Sequence, residues 1–224
     1  MIMTNTNLYL VDDDESVLDA LDFALQGEGY QPLSFNSAEA FWLWAKQHAD
    51  KMNEGGCLIL DSRMPGMSGQ ELQYQLSQTD CSLGIVFLTG HGDVPMAVDA
   101  LKLGAVDFLQ KPIEITKLLK AVSQAFDAST SSKELKSAIR CYEELTLRER
   151  DILQLLAQGK TNQQLAELLF ISARTVEVHR SNMLKHLQMD SLAKMVRLYT
   201  LVEPYLSSIA PPPLRIRRKT KHND

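Results

Sequence analysis

Up to about residue 125 the chain alternates short apolar runs with longer stretches whose apolar residues recur at spacings of three and four. The short runs LYLV (8–11), PLSF (32–35), CLIL (57–60), IVFL (85–88) and VDFL (106–109) predict strands. The patterns around 15–26, 38–48, 69–78, 94–103 and 115–126 predict amphipathic helices between them. Ser37 ahead of AEAFWLWA and Gly104 behind AVDALKL suit a helix start and a helix stop. Five strands, each followed by a helix, predict a doubly wound α/β domain with a five-stranded parallel sheet covered on both faces. In such sheets reactive groups gather at the carboxyl ends of the strands.

Further along, the period changes. Residues 127–141, DASTSSKELKSAIRC, begin polar and serine-rich and then turn helical, so 126–142 is predicted as a linker that extends the preceding helix. From 145 to 202 every pattern is helical, which predicts a second, all-α domain of four helices over 143–206. Leu147, Ile152, Leu155 and Leu156 give its first helix an apolar face, and Gly159 suits the stop. A short helix with Leu165, Leu168 and Leu169 inward follows. Ser172 then caps a third, which buries Val176, Met183, Leu184 and Leu187 and partly covers Arg180. Its other face presents Arg174, Val178, Ser181 and Lys185 with Glu177 beside them. Helix, tight turn and helix with a polar stripe is the geometry that enters a DNA major groove. An interaction module with solvated charges fits the same pattern, and protein or RNA then replaces DNA as its partner. The remaining segment, 207–224, carries five basic residues from Pro211 onward without periodicity and is predicted to be a disordered basic tail.

Charge sharpens the division. The net charge of −5 conceals 17 acidic against 7 basic residues in 1–124, and 11 against 16 in 125–224. An acidic part joined to a basic part implies two tasks, the basic one suited to nucleic acid. The first thirty residues lack a basic n-region with a long apolar core, and no apolar run approaches the ~18 residues of a membrane span. Cys57, Cys81 and Cys141 are odd in number and far apart, which fits inert thiols in a reducing compartment. A cytoplasmic protein without membrane attachment is expected.

The chemistry lies at the strand ends. In GCLILDSRMPGMSGQEL the apolar run stops at Asp61 and breaks into a loop of Pro65, Gly66, Ser68 and Gly69. Strand one ends in Asp12, Asp13 and Asp14, strand four in Thr89, and strand five runs into Lys111 and Pro112. Singly, each has an ordinary explanation, such as a helix cap for the aspartates. Jointly, carboxylates brought close repel one another and raise their pKa values unless a hard divalent cation relieves them. Mg²⁺ prefers oxygen ligands and a phosphoryl partner, Lys111 offers a mobile positive charge, and Thr89 a hydroxyl. The set describes an aspartate that accepts a phosphoryl group with metal assistance. Spacing alone leaves the acidic pair as either Asp12–Asp13 or Asp13–Asp14. An aspartyl-nucleophile hydrolase would need a second acid beside Asp61, where DSRMP offers Ser62 and Arg63. His91, two residues past Thr89, has no companion nucleophile motif and is expected to fill the loop.

VDDDESV, DSRMPGMSG and LTGHGDVPMAVDALKLGAVDFLQKP closely resemble the CheY-like receiver domain of two-component response regulators, in the FixJ-like branch, across residues 5–125. The resemblance implies phosphorylation of Asp61 by a sensor histidine kinase, with Mg²⁺ held by Asp12, Asp13, Asp61 and the backbone carbonyl of Arg63. It implies that Thr89 and Lys111 bind the acyl phosphate and that Phe108 is a switch aromatic. A homodimer then forms through Val94, Ala97, Val98, Leu101 and Lys102. TNQQLAELLFISARTVEVHR is similar to the core of the LuxR/NarL-type helix-turn-helix. That implies double-stranded promoter DNA as partner and 173–187 as recognition helix. Lys160, Thr161, Asn162, Arg174, Thr175 and Lys185 would then sit on the DNA, and Glu177, Val178 and Ser181 at base-reading positions. Transcriptional regulation, in the activating sense through RNA polymerase, follows from the same likeness, with no turnover beyond the protein's own phosphorylation and dephosphorylation.

Overall fold

The computed structural model describes residues 7–90 and 94–208. His91, for which loop filling is predicted, and residues 209–224 of the predicted disordered tail lie outside the described residues, while Ser207 and Ser208, the first two of that tail, are helical and end the last helix. The chain divides into two compact units, residues 1–133 and 134–224.

The first unit is built on β1 (Leu8–Val11), β2 (Leu33–Phe35), β3 (Gly56–Asp61), β4 (Leu83–Thr89) and β5 (Asp107–Gln110). All neighbours pair in parallel, in the order β2-β1-β3-β4-β5. Alternate residues feed opposite faces, the period of two that strand geometry imposes. Tyr9, Val11, Leu58, Leu60 and Phe87 pack with Phe41 of α2 (Ala38–Gln47), Met52 of α3 (Ala49–Glu54), Leu72 of α4 (Gly69–Ser77) and Ala100 of α5 (Val94–Lys102). On the opposite face Leu8, Leu10, Cys57, Ile59, Val86 and Leu88 meet Leu21 of α1 (Glu15–Gly27) and Leu118 and Val122 of α6 (Ile115–Glu144). Burial pushes the Cys57 thiol up, which keeps it protonated and inert.

α3 is absent from the sequence-based expectation, because ADKMNE presents one buried residue, Met52, and no apolar period. The stretch 126–142, expected as a linker, is helical throughout, within α6. Its Ser129 is buried, and its hydroxyl accepts a hydrogen bond of 2.8 Å from the amide of Gly56, the first residue of β3.

In the second unit the end of α6 contributes Ala138 and Tyr142 to a core shared with α7 (Leu147–Ala157), α8 (Asn162–Leu169), α9 (Ala173–His186) and α10 (Leu192–Ser208). Thr146 and Thr161 open α7 and α8 with capping boxes completed by Glu149 and Gln164. The Arg150 guanidinium lies over the Tyr142 ring at 4.9 Å and donates to the carbonyls of Tyr142 and Glu143. Leu147 corrects one expectation. It is 47% exposed, because it stands nine residues, two and a half turns, from Leu156 and so on the opposite side of α7. Leu153, fully buried, takes the inward place.

Ser129→Ala would leave the buried Gly56 amide without its acceptor. The expected loss is about 1–3 kcal/mol from the first unit. Both tryptophans, Trp42 and Trp44, lie in that unit, so urea titration followed by tryptophan fluorescence reads the shift directly.

Candidate functional site

Three strand ends deliver the polar groups. β1 runs into Asp12, β3 ends in Asp61 and β4 ends in Thr89, and all three side chains are buried. Just past β5, Lys111 stretches back across the strand tips. Its Nζ donates to Asp12 Oδ2 at 2.6 Å and to Asp61 Oδ1 at 2.7 Å. One ammonium thus serves two carboxylates. The Lys111 amide donates to the Thr89 carbonyl at 2.7 Å, which fixes lysine and threonine to each other through the backbone.

Electrostatics follow from that ratio. Burial raises the pKa of Asp12, and the neighbouring Asp61 charge pushes the same way, against the hydrogen bonds from Lys111 and the Asp14 amide. Burial pulls Lys111 down, but its bonds to both aspartates outweigh this and leave its pKa raised. Two carboxylates facing one ammonium leave an unneutralised negative charge in a largely desolvated place.

The three consecutive aspartates have three different environments. Asp14 caps α1, its carboxylate accepting from the amide and hydroxyl of Ser16 at 2.9 and 2.6 Å. Asp13 is exposed, and Asp12 faces Lys111. The loop after Asp61 is pinned from outside. The Glu39 carboxylate accepts from the Met67 amide at 2.6 Å. Gly66 stands at φ +79°, where any side chain would be strained and a Cβ would strike Glu39. Gly69 lies so near the Asp61 carbonyl and the Phe87 ring that a Cβ would collide with both. Asp61 Oδ2 accepts from the Arg63 amide at 2.7 Å, so both its oxygens are fixed. Glu39 has no signal in the sequence, since it belongs to another helix 28 residues away.

A divalent cation fits this chemistry. Two buried oxygen donors with surplus negative charge suit Mg²⁺, which keeps several waters and needs few protein ligands. Among the described residues no three side chains of His, Cys, Asp and Glu gather around one point. A cation here would take Asp12 and Asp61, with Asp13 at the rim and a backbone carbonyl such as that of Arg63 as further donors.

Phe108, on β5 opposite Phe87, is half-buried, with ring centroids 5.9 Å apart. On α5, Val98 is 43% and Leu101 47% exposed, Lys102 is exposed and Ala97 half-buried. The side chain of Val94 lies outside the described ones.

In the second unit, α8 closes at Phe170 in the left-handed conformation, and Ser172 caps α9 through the Thr175 amide at 3.0 Å. Val176 and Met183 are buried, while Arg174, Glu177, Val178, Ser181 and Lys185 form an exposed stripe. The Thr175 hydroxyl is engaged by Ser172 at 2.7 Å. Lys160, Thr161 and Asn162 cluster at the start of α8, and Asn162 Oδ1 accepts from Arg180 Nη1 at 2.6 Å. This last contact was not legible in the sequence.

Residues 8–123 match the response regulator receiver domain family, and residues 143–199 the luxR family of bacterial regulatory proteins. The chain is a two-component response regulator. It is 39% identical over 210 residues to the tetrathionate response regulatory protein TtrR of Salmonella typhimurium, covering 94% of this chain and 96% of that one. It is 38% identical over 199 residues to the transcriptional regulatory protein FixJ of Bradyrhizobium diazoefficiens, covering 87% and 95%. Among solved structures, StyR is 40% identical with a TM-score of 0.61, covering 87% of this chain and 98% of that one. Full-length FixJ from B. japonicum is 36% identical with a TM-score of 0.53, covering 90% and 99%. The first unit of this response regulator is therefore its receiver, and α7 to α10 belong to its LuxR-type DNA-binding domain, the combination that regulates transcription. Receiver domains generally bind Mg²⁺ at the site of phosphorylation. No described helix is long and apolar enough to cross a membrane.

The raised pKa of Asp12 has a definite sign for stability. The folded state holds that proton more tightly than the unfolded chain, so this contribution favours folding at low pH and is lost as pH rises through the folded value. Asp12→Asn is therefore expected to raise the urea midpoint of the metal-free protein at neutral pH. The gain should shrink to nothing below the carboxylate range, as read by urea titrations across pH.

Proposed function

We propose that Asp61 accepts a phosphoryl group from a phosphohistidine of a sensor kinase, and that the phosphorylated protein dimerises and binds promoter DNA to regulate, in the activating sense, transcription. The observation that carries this reading is Lys111 Nζ within 2.7 Å of two buried carboxylates at adjacent strand ends. In the transfer, an Asp61 oxygen attacks phosphorus, the new P–O bond forms as the P–N bond breaks, and the imidazole departs with the bonding pair. Mg²⁺ bound by Asp12, Asp13, Asp61 and the Arg63 carbonyl would neutralise phosphoryl oxygens during that exchange. Lys111 follows the new negative charge, and the Thr89 hydroxyl donates to it. Thr89 moving inward opens room for Phe108 to turn, which alters the α5 face.

That face supports dimerisation by what it exposes. Val98, Leu101 and Lys102 present an apolar strip with a charged edge. Aliphatic residues held in water gain by burial against a second copy, about 25 cal/mol for each Å² covered. The exposed stripe of α9 supports the DNA reading. Glu177 suits a cytosine amino group and Val178 a thymine methyl, while Lys160, Arg174 and Lys185 suit phosphates. RNA polymerase as partner and a cytoplasmic location follow from the same role.

Asp61→Asn is expected to abolish phosphoryl incorporation from acetyl phosphate, seen as the missing mass increment in intact-protein mass spectrometry. Labelling at the wild-type level would refute the assignment. Leu101→Asp should leave phosphorylation intact and remove the phosphate-dependent dimer in light scattering. For DNA, Lys160→Ala and Lys185→Ala should each lower the salt slope of binding by ~1, whereas Val178 substitutions should change sequence preference instead.

A further inference from the structure

Asn162 opens α8, where the capping box uses the amides of Thr161 and Gln164 and none of its bonds reaches those of Asn162 and Gln163. Its carboxamide has two ends with opposite hydrogen-bonding sense, an oxygen that accepts and an NH₂ that donates. Arg180, on α9 and 18 residues further along, settles which end faces where. A guanidinium only donates, so the carboxamide must turn Oδ1 toward Arg180 Nη1, which it does at 2.6 Å. The NH₂ group is then directed away from the guanidinium, at a helix start flanked by Lys160.

We infer that Arg180 is a positioning residue for DNA: it holds the Asn162 amide oriented to donate to a backbone phosphate, and ties the start of α8 to the recognition helix. The inference rests on the DNA-binding reading proposed above. A hydrocarbon side chain would fill the space between α8 and α9 without the desolvation cost of a partly covered guanidinium. Arg180 Nε is buried and has no partner among the described residues, so the bond through Nη1 is an anchor the side chain depends on. Arg180 thus acts through Asn162 and makes no ionic contact with the duplex itself.

The test is a double-mutant cycle on the full-length protein, with binding to a fluorescent duplex of arbitrary sequence followed by anisotropy over a range of salt concentrations. Arg180→Met and Asn162→Ala should each weaken binding by about tenfold, and the double variant should be no weaker than either single one. Asn162 is neutral, so both salt plots should run parallel to that of the wild type. Arg180→Lys, which can still reach Oδ1, should recover part of the loss. A slope lowered by ~1 in Arg180→Met would mean a direct phosphate contact and overturn the assignment. So would additive losses, or unchanged binding by Asn162→Ala, a substitution at a helix end that leaves the core intact. A wild type that binds no duplex would overturn the DNA reading, and this inference with it.

Discussion

The receiver turns on a charge imbalance. A single ammonium, Lys111, reaches two carboxylates that the sheet has already withdrawn from water. The backbone sets the positions: parallel pairing of β1, β3 and β4 brings their carboxyl ends side by side, so that Asp12, Asp61 and Thr89 stand at adjacent strand ends. Burial makes the ionised state of Asp12 costly, and Lys111 offsets part of that cost while its second hydrogen bond goes to Asp61. A bound Mg²⁺ would relieve what remains. In the proposed cycle an acyl phosphate at Asp61 would change the balance again, by adding negative charge within reach of Lys111. One mobile cation is therefore useful in every state of the proposed cycle, which a rigid guanidinium fork would serve less well.

Fixing Asp61 is as necessary as charging it. Its two oxygens are held by Lys111 and by the Arg63 amide. The loop that supplies Arg63 is itself clamped by Glu39 from α2. Gly69 lets α4 press against the Asp61 carbonyl, so a helix start and a strand end share one contact. The buried strand therefore ends on an acid and breaks into turn formers for one purpose. The turn residues allow backbone conformations and approaches that side chains would forbid, and the carboxylate stays aimed instead of being spent as a cap. Asp14 shows the contrast, since its carboxylate is committed to Ser16 and the start of α1.

What the sequence made legible was what repeats or what is tied to residue type at fixed order. The five strands follow from short apolar runs and their flanking helices from a period near four, and a sheet covered on both faces is what the core shows, with Tyr9 and Val11 packed on one side and Leu8 and Leu10 on the other. The acids, the threonine and the lysine were visible because each sits at a strand end. What stayed hidden depends on distant partners. Ser129 reads as linker composition until the Gly56 amide is beside it. Glu39 reads as an ordinary first-turn acid of α2, and Asn162 as a helix-start polar residue, until Met67 and Arg180 are placed. Short α3 escaped because a six-residue helix with one buried side chain has no period to detect.

The proposed switch has to work with small energies. Carrying a population from 1:99 to 99:1 takes ~5.5 kcal/mol of differential binding, comparable to the whole stability of a modest domain. A new phosphate bond to Thr89 and a stronger one to Lys111 fall short of that if each contributes the usual 1.5–3 kcal/mol, roughly, of a charge-assisted hydrogen bond and part is already made to Asp61. The α5 face can supply the difference, because Val98 and Leu101 are exposed in the unpartnered chain and their burial is realised only in a dimer. Paired recognition helices on two half-sites add to it by making the second binding event intramolecular. Phosphorylation then need only tip an equilibrium that dimerisation and DNA complete, and an Asp61 held by two donors with one cation to share is a site that a single phosphoryl group can tip.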